Sequence, residues 1–419
     1  MRQCRDKIFL RVSVPLWSEI CAIIAPNTEE FAMALHPLQS RRDAPAWEAC
    51  AATQGRRYGG LALSRRDFAR AAFAAVLAAR PVLAGRRSLD PLSPGIKISL
   101  QVPADFTEED LVFARQIGVE YVSIPTRGGT YETFARFKQR VEAAGLKIAN
   151  IGNSNVHNMP EVTLNLPGRD RKIEEYKQYL RDLARAGIFY TTYAHMGNGI
   201  WSSERETTRG GAPARAFHLE TAKGYWADTV FDPPLTHGRK FTKEELWENY
   251  TYFIRQAAPV AEELGIRIGI HPDDPPVPEL GGIPRCIFGN FDGYVRALEI
   301  AGSPNIGVCL CCGTWMEGGE HMGKDVVDAI RAFAKMGKLW KIHFRNVSAP
   351  IPHFVETFVD DGYTDMKNVM RTLVEVDFRG ILIADHVPQM AGDRRTGWAY
   401  SIGYIRALYD MARAARRGA

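Results

Sequence analysis

Four residues at the ends of short apolar runs carry side chains able to bind a metal ion. They are His271 in IRIGIHP, Cys311 in IGVCLCC, His343 in LWKIHFRN and Asp385 in ILIADH. Two imidazoles, one thiolate and one carboxylate suit Mn, Fe, Co or Zn by donor type. A catalytic ion must also keep a position open for substrate or water. Such an ion stabilises negative charge developing on a substrate hydroxyl or carboxylate. Taken singly, each residue has a plainer reading: a strand-end histidine is commonly a satisfied structural group, and a buried cysteine behaves as a small hydrophobe. Four consecutive runs that each end in a metal-capable side chain favour one shared divalent metal centre.

The chain has seven cysteines, three of them in GVCLCCGT, Gly307 to Thr314. A disulfide, a zinc knuckle, a redox pair or a single metal ligand with two bystanders would each account for that crowding. Side chains alternate along a strand, so Cys309 and Cys311 share one face and Cys312 takes the other. Cys311 lies nearer the C-terminal end and is read as the ligand, Cys309 as interior packing, and Cys312 as directed toward the helices. A bridge between adjacent Cys311 and Cys312 would be strained, and zinc knuckles need CxxC-type pairs that Cys286 alone does not supply.

Two neighbours extend the constellation. His386 follows Asp385 directly, which holds an imidazole where general acid or base work beside a metal would occur. Arg345 shares a strand face with His343 and is a natural bidentate partner for a substrate carboxylate. Its plainer reading is a salt bridge inside the barrel.

These residues need a scaffold that gathers strand ends. From Ile96 onward, eight β-branched or aromatic runs (96–102, 120–125, 146–152, 188–196, 266–272, 306–312, 339–346 and 381–386) alternate with helical patterns. EEYKQYLRDLARAG (174–187) and ENYTYFIRQAAPVAEELG (248–265) show helical apolar spacing with a glycine stop. The pattern predicts an α/β fold, a (β/α)8 TIM barrel over 95–415 with a long insertion after the fourth strand, and reacting groups at the C-terminal strand ends. A doubly wound sheet calls for a Gly-rich phosphate loop after the first strand, and QVPADF is not one. The insertion, 197–240, is read as a lid or substrate wall, because Trp201, Phe217, Tyr225 and Trp226 need something to pack on.

Charge confines the alternatives. Lysine and arginine number 53 against 48 acidic residues, a net charge of +5. All of that excess falls in residues 1–85, leaving a neutral body with no electrostatic footprint for nucleic acid. The N-terminal stretch LSRRDFARAAFAAVLAARPVLAG has paired arginines (Arg65, Arg66), a weakly apolar run and a small-residue exit at Ala84. Residues 61–84 are read as a twin-arginine-type signal peptide, and residues 1–60 as an extension from a start codon set too far upstream. The twin-arginine export machinery is then a partner and the body is exported or periplasmic; without the signal it is cytoplasmic. No stretch reaches the ~20 apolar residues needed to span a bilayer.

The motifs GVCLCCGT, KIHFRN, IADHVP and IGIHPDDPP, with PGRDRKIEEYKQYLRDLARAG upstream, resemble the mannonate dehydratases, a family of the xylose-isomerase-like TIM-barrel group. The resemblance covers roughly 95–410. It implies removal of water from D-mannonate to give 2-keto-3-deoxy-D-gluconate with a divalent metal, usually Mn2+. It implies His271, Cys311, His343 and Asp385 as ligands, His386 as an acid/base, and a tyrosine after the final strand as a second acid/base, for which Tyr400 stands at the matching distance. His195 occupies a fourth-strand position where the family places a polar group, which makes it a candidate substrate contact. A sugar isomerase or epimerase of the same barrel group is the alternative enzyme, and an exported sugar-acid binding protein is the non-enzyme alternative.

Overall fold

A computed structural model describes residues 89–418; the extension and the signal-like segment therefore lie outside the described residues. Eight parallel strands form the barrel: β1 (Lys97–Gln101), β2 (Tyr121–Thr126), β3 (Lys147–Asn153), β4 (Tyr190–Tyr193), β5 (Arg267–Ile270), β6 (Ile306–Cys311), β7 (Leu339–His343) and β8 (Ile381–Ile383). Their order is β3-β2-β1-β8-β7-β6-β5-β4, so the first and last strands pair. The remaining seam, between β3 and β4, is bridged by a side chain. The Tyr179 hydroxyl donates to Ile151 O at 2.6 Å and lies 2.7 Å from Thr191 Oγ1.

Eight helices alternate with these strands: α1 (Glu108–Gln116), α2 (Tyr131–Ala143), α3 (Arg169–Arg185), α4 (Lys243–Leu264), α5 (Phe291–Ala301), α6 (Val326–Lys335), α7 (Met366–Glu375) and α8 (Arg394–Gly418). Their starts follow local chemistry. Thr107 with Asp110, and Thr242 with Glu245, form reciprocal capping boxes that satisfy the first free amides of α1 and α4. Helix α4 stops at Gly265, whose φ of +69° is the left-handed conformation glycine adopts without a Cβ penalty. One apolar layer lies between strands and helices, with Ile151, Tyr176, Ile268, Ile342 and Leu382 buried in it. A smaller cluster of Tyr190, Trp340, Ile381 and Ile383 is covered by Leu89 and Leu92 from the first described residues.

The insertion between β4 and α4 is a set of short antiparallel hairpins. Ile200–Ser202 and Thr229–Phe231 flank Lys223–Trp226, and Glu206–Thr208 pairs with Ala212–Ala214. Its strand Ala216–His218 pairs with His353–Thr357, which belongs to the connection after β7. Phe217 stacks on Phe354 at 5.5 Å between centroids, and Trp226 stacks on His157 at 5.5 Å. Trp201 and Phe217 are buried, whereas Tyr225 is 42% exposed and does not take the packing role expected of it. Among the described residues, no helix is long and apolar enough to cross a membrane.

Candidate metal centre and active site

The strand ends converge. One ligand atom each from His271, Cys311 and His343 lies within 4.8 Å of the others, and all three residues are buried. Each sits where its strand gives out: Cys311 and His343 are the last residues of β6 and β7, paired in register, and His271 directly follows β5. Parallel pairing aligns those ends, which is why residues 72 positions apart in sequence meet.

The donors are individually prepared. His271 Nδ1 lies 2.7 Å from Pro272 O; a donated Nδ1–H fixes the tautomer and leaves the Nε2 lone pair for a ligand. Cys311 Sγ accepts from the Thr314 amide at 3.4 Å and from Arg345 Nη2 at 3.3 Å. His343 Nδ1 is 3.2 Å from Asp385 Oδ1, yet it is buried without a hydrogen bond of good geometry, so the contact is an ion-pair distance and little more. Asp385 has φ of +68°, a left-handed conformation that costs a non-glycine residue about 1 kcal/mol or more and is tolerated best by Asp and Asn. Burial opposes ionisation of Asp385, but His343, His386 and Arg345 hold its carboxyl well below the usual carboxylate range. Buried nitrogen, sulfur and oxygen donors with open valences fit a divalent transition-metal ion.

Cys309 was read from the sequence as packing, but its thiol lies 3.3 Å from His343 Nε2 and borders the site. Cys312 lies past the end of β6, as the first residue of a short helix (Cys312–Gly318), and is fully buried in the apolar core. All four body cysteines are free thiols.

Arg345 departs from its expected role. It is 1% exposed and enclosed by acids: Nη1 donates to Glu317 Oε1 (2.8 Å) and Glu356 Oε1 (2.7 Å), and Nη2 to Thr314 Oγ1 (3.0 Å). Its Nε is 3.3 Å from Asp385 Oδ2 but makes no hydrogen bond of good geometry. The guanidinium thus presents no free fork to a substrate; the in-barrel ion pair is the reading the geometry supports. Gly313 makes room for it, since a Cβ there would stand 2.6 Å from Arg345 Cζ.

A second guanidinium joins from the insertion. Arg215 Nη2 donates to Asp274 Oδ1 at 2.6 Å, and Nη1 to Glu356 Oε1 at 3.0 Å. Two arginines and the carboxylates of Asp274, Glu317 and Glu356 therefore form a buried ion cluster. Burial and the nearby Asp274 push the Glu317 carboxyl up from the ordinary carboxylate range despite both arginines. Sequence reasoning missed Arg215, Asp274, Glu317 and Glu356; only Asp274 lies in a motif, IGIHPDDPP, that marked its neighbourhood.

This cluster holds His386. Its Nδ1 is 2.8 Å from Glu356 Oε1, which leaves Nε2 for proton transfer. Desolvation disfavours the imidazolium, but Glu356 and Asp385 outweigh it and push the pKa up to about 9. With 41% of the side chain open to solvent, the two carboxylates rather than burial set that direction. His386 and Asp385 line a cavity of about 620 Å3, whose lining also takes in Ser202, Ser203, Arg205 and Arg215 of the insertion.

Two further expectations end elsewhere. His195 is 4% exposed, with Nδ1 2.6 Å from the Tyr193 hydroxyl and its ring set edge-on to Tyr250 and Phe288. That aromatic surround gives it no route to a substrate, so His195 is a packed core histidine. Tyr400 is outside the residues lining the cavity; its hydroxyl accepts from Arg209 Nη2 at 3.1 Å and its ring packs on Phe358. An arginine-bound phenol at the rim is not in place to transfer a proton beside His386.

A family model described as D-mannonate dehydratase matches residues 116–223 and 230–417. The chain belongs to the D-mannonate dehydratase family. Membership places it among the hydro-lyases, and the match runs through most of the insertion, which is thus largely a family feature. Mannonate dehydratase of Thermotoga neapolitana is 29% identical over 318 residues, covering 67% of this chain and 86% of that protein. The enzyme of Streptococcus pneumoniae (strain 70585) is 31% identical over 297 residues, covering 66% and 79%. The crystal structure of mannonate dehydratase from Streptococcus suis serotype 2 superposes with a TM-score of 0.66 at 27% identity, over 77% of this chain and 95% of that one. A xylose isomerase domain protein from Planctomyces limnophilus (14%, TM-score 0.51) and an L-ribulose 3-epimerase (13%, 0.52) share the fold.

Proposed function

We propose that this chain dehydrates D-mannonate to 2-keto-3-deoxy-D-gluconate, with a divalent metal held by His271, Cys311, His343 and Asp385. The observation that carries the reading is the convergence of three buried donors next to Asp385, which with His386 lines the cavity. Mn2+ is the proposed ion, with Fe2+, Co2+ or Zn2+ as alternatives the same donors accept. A bound cation supplies Lewis-acid stabilisation of negative charge on the substrate's oxygens.

The chain's own residues do the rest. The reaction removes the proton on the carbon next to the carboxylate and expels the neighbouring hydroxyl as water. His386 Nε2, with Nδ1 anchored by Glu356, faces the cavity and is the group for moving a proton. Arg345 and Arg215 act by fixing Glu356 and Asp385, and so the imidazole, rather than by touching the sugar acid. The cavity volume of about 620 Å3 is large enough for a six-carbon chain.

Incubating metal-loaded protein with D-mannonate tests the reading. A 2-keto-3-deoxy acid is the expected product; an epimer or a ketose without loss of water would replace the dehydratase by an isomerase. Export of an already folded, metal-loaded protein through the twin-arginine route is the proposed fate of the arginine-paired segment. Cell fractionation checks it: a body confined to the cytoplasm contradicts export.

A further inference from the structure

The cavity beside His386 is lined by three arginines, and they differ in what balances them. Arg215 is taken by Asp274 and Glu356, and Arg394 Nη2 lies 2.9 Å from Asp110 Oδ1. Arg205 has no carboxylate partner among the described residues. Its one hydrogen bond is from Nη2 to Pro213 O at 3.1 Å. The same carbonyl accepts the Gln389 amide at 2.9 Å, so it ties the insertion hairpin to the loop that follows His386. The guanidinium is held by one of its five N–H donors, and the remaining fork is uncommitted.

We infer that Arg205 recognises the carboxylate of the sugar acid and sets the enzyme's preference for acids over neutral polyols. The inference rests on the reading of this cavity as a sugar-acid site and deepens it. A guanidinium meets a carboxylate through two parallel N–H donors, a geometry that an ammonium or an amide does not reproduce. Arg345, the other candidate for this task, is enclosed by acids and has no such fork to offer. Arg205 lines the same cavity as Asp385 and His386, so a sugar acid bound there meets a guanidinium of the insertion at its charged end. Ser202 and Ser203 of the insertion add hydroxyls that suit a polyol chain. Asp393, the one lining acid without an ion pair among the described residues, receives the Arg395 amide at the start of α8 and is not directed at Arg205 by any contact.

The test compares binding of D-mannonate, D-gluconate and the neutral D-mannitol to metal-loaded wild type, Arg205→Lys and Arg205→Gln by titration calorimetry, with steady-state kinetics on D-mannonate alongside. Arg205 is exposed, so both variants are expected to keep the wild-type melting temperature. Loss of a bidentate charge-assisted pair predicts 10- to 100-fold weaker binding of both acids in Arg205→Gln, on the order of a charged hydrogen bond. D-mannitol affinity is expected to stay the same, Arg205→Lys to fall between, and KM to rise with kcat within about 3-fold. Equal weakening of D-mannitol and D-mannonate, or acid binding unchanged in Arg205→Gln, overturns the assignment. The binding arm needs no turnover. A wild type that binds both acids through Arg205 but does not dehydrate D-mannonate upholds this inference while defeating the dehydratase reading; a wild type with no preference for acids over D-mannitol defeats the inference itself.

Discussion

The two sides of the site are built differently. On one side, His271, Cys311, His343 and Asp385 hang from the ends of β5 to β8 and are all buried, and of these four only Asp385 lines the cavity. On the other, Ser202, Ser203, Arg205 and Arg215 come from hairpins of three to four residues per strand, held to the barrel by stacking and by one ion cluster. Strand ends in a parallel barrel are positioned by the whole hydrogen-bonded ring, whereas a hairpin insertion is positioned by what it docks on. The division suits the chemistry: an ion and an acid/base need fixed places, and a substrate needs a wall that admits it.

Cys311→Ser strikes the rigid side. Metal content should fall sharply and D-mannonate turnover by about 100-fold or more, while Cys312→Ser, changed in the core outside the donor cluster, keeps its metal; elemental analysis of both proteins checks this. Equal metal loss in the two would show that burial of any thiol here matters, and not membership of the donor cluster.

Arg215→Met strikes the joint between the two sides. It leaves Asp274 and Glu356 without one of their two arginines, so stability should drop by roughly 3 kcal/mol. Turnover should fall by about 10-fold or more as His386 loses a fixed Glu356, with metal content unchanged. Denaturant melts and metal analysis on the same sample separate these effects. Metal loss with Arg215→Met would mean that the two sides are not separable.

What could be read in the sequence follows the same line. Alternation along IGVCLCC separates Cys311 from Cys312 on paper, but the strand ends at Cys311 and Cys312 opens a short helix, a turn of the chain that the local pattern does not announce. The eight runs and their order were visible, since a buried parallel strand writes its environment into a local apolar pattern. Arg345 stays open in the sequence between a substrate fork and an in-barrel ion pair, because its partners Glu317 and Glu356 reach it from two different connections and nothing in KIHFRN announces them. His195 looked like a strand-end contact, but Tyr250 on α4 and Phe288 before α5 close over it. Tyr400 had the right distance in sequence from Asp385; where α8 puts that phenol depends on Arg209, in the insertion. In each case tertiary partners far apart in sequence decided the outcome.

A subtler difference lies in acid. Desolvation alone depresses His195 to about 3, against about 6.5 for a histidine in the unfolded chain. The unfolded state therefore takes up a proton that the folded state refuses. Stability from this site is complete above pH 6.5 and declines as pH falls through the window from 6.5 toward 3, at about 1.4 kcal/mol per pH unit. Denaturant melts of His195→Gln across that window should show a shallower slope than wild type; an unchanged slope would place the acid sensitivity elsewhere.

The smallest effect is expected at the rim. Tyr400→Phe removes a hydroxyl bound to Arg209 outside the cavity, so kcat on D-mannonate should stay within about 3-fold of wild type. A loss of 100-fold or more would restore Tyr400 as an acid/base.

The most direct test of the central claim is to strip the protein with a chelator, return Mn2+ in increments, and follow formation of the 2-keto-3-deoxy acid from D-mannonate in wild type and Cys311→Ser. The strand-end centre predicts that wild-type activity is lost on stripping and returns in proportion to added metal until a single ion per chain is bound, while Cys311→Ser recovers little at the same Mn2+. Full activity in the stripped protein, or full recovery in Cys311→Ser, would contradict it.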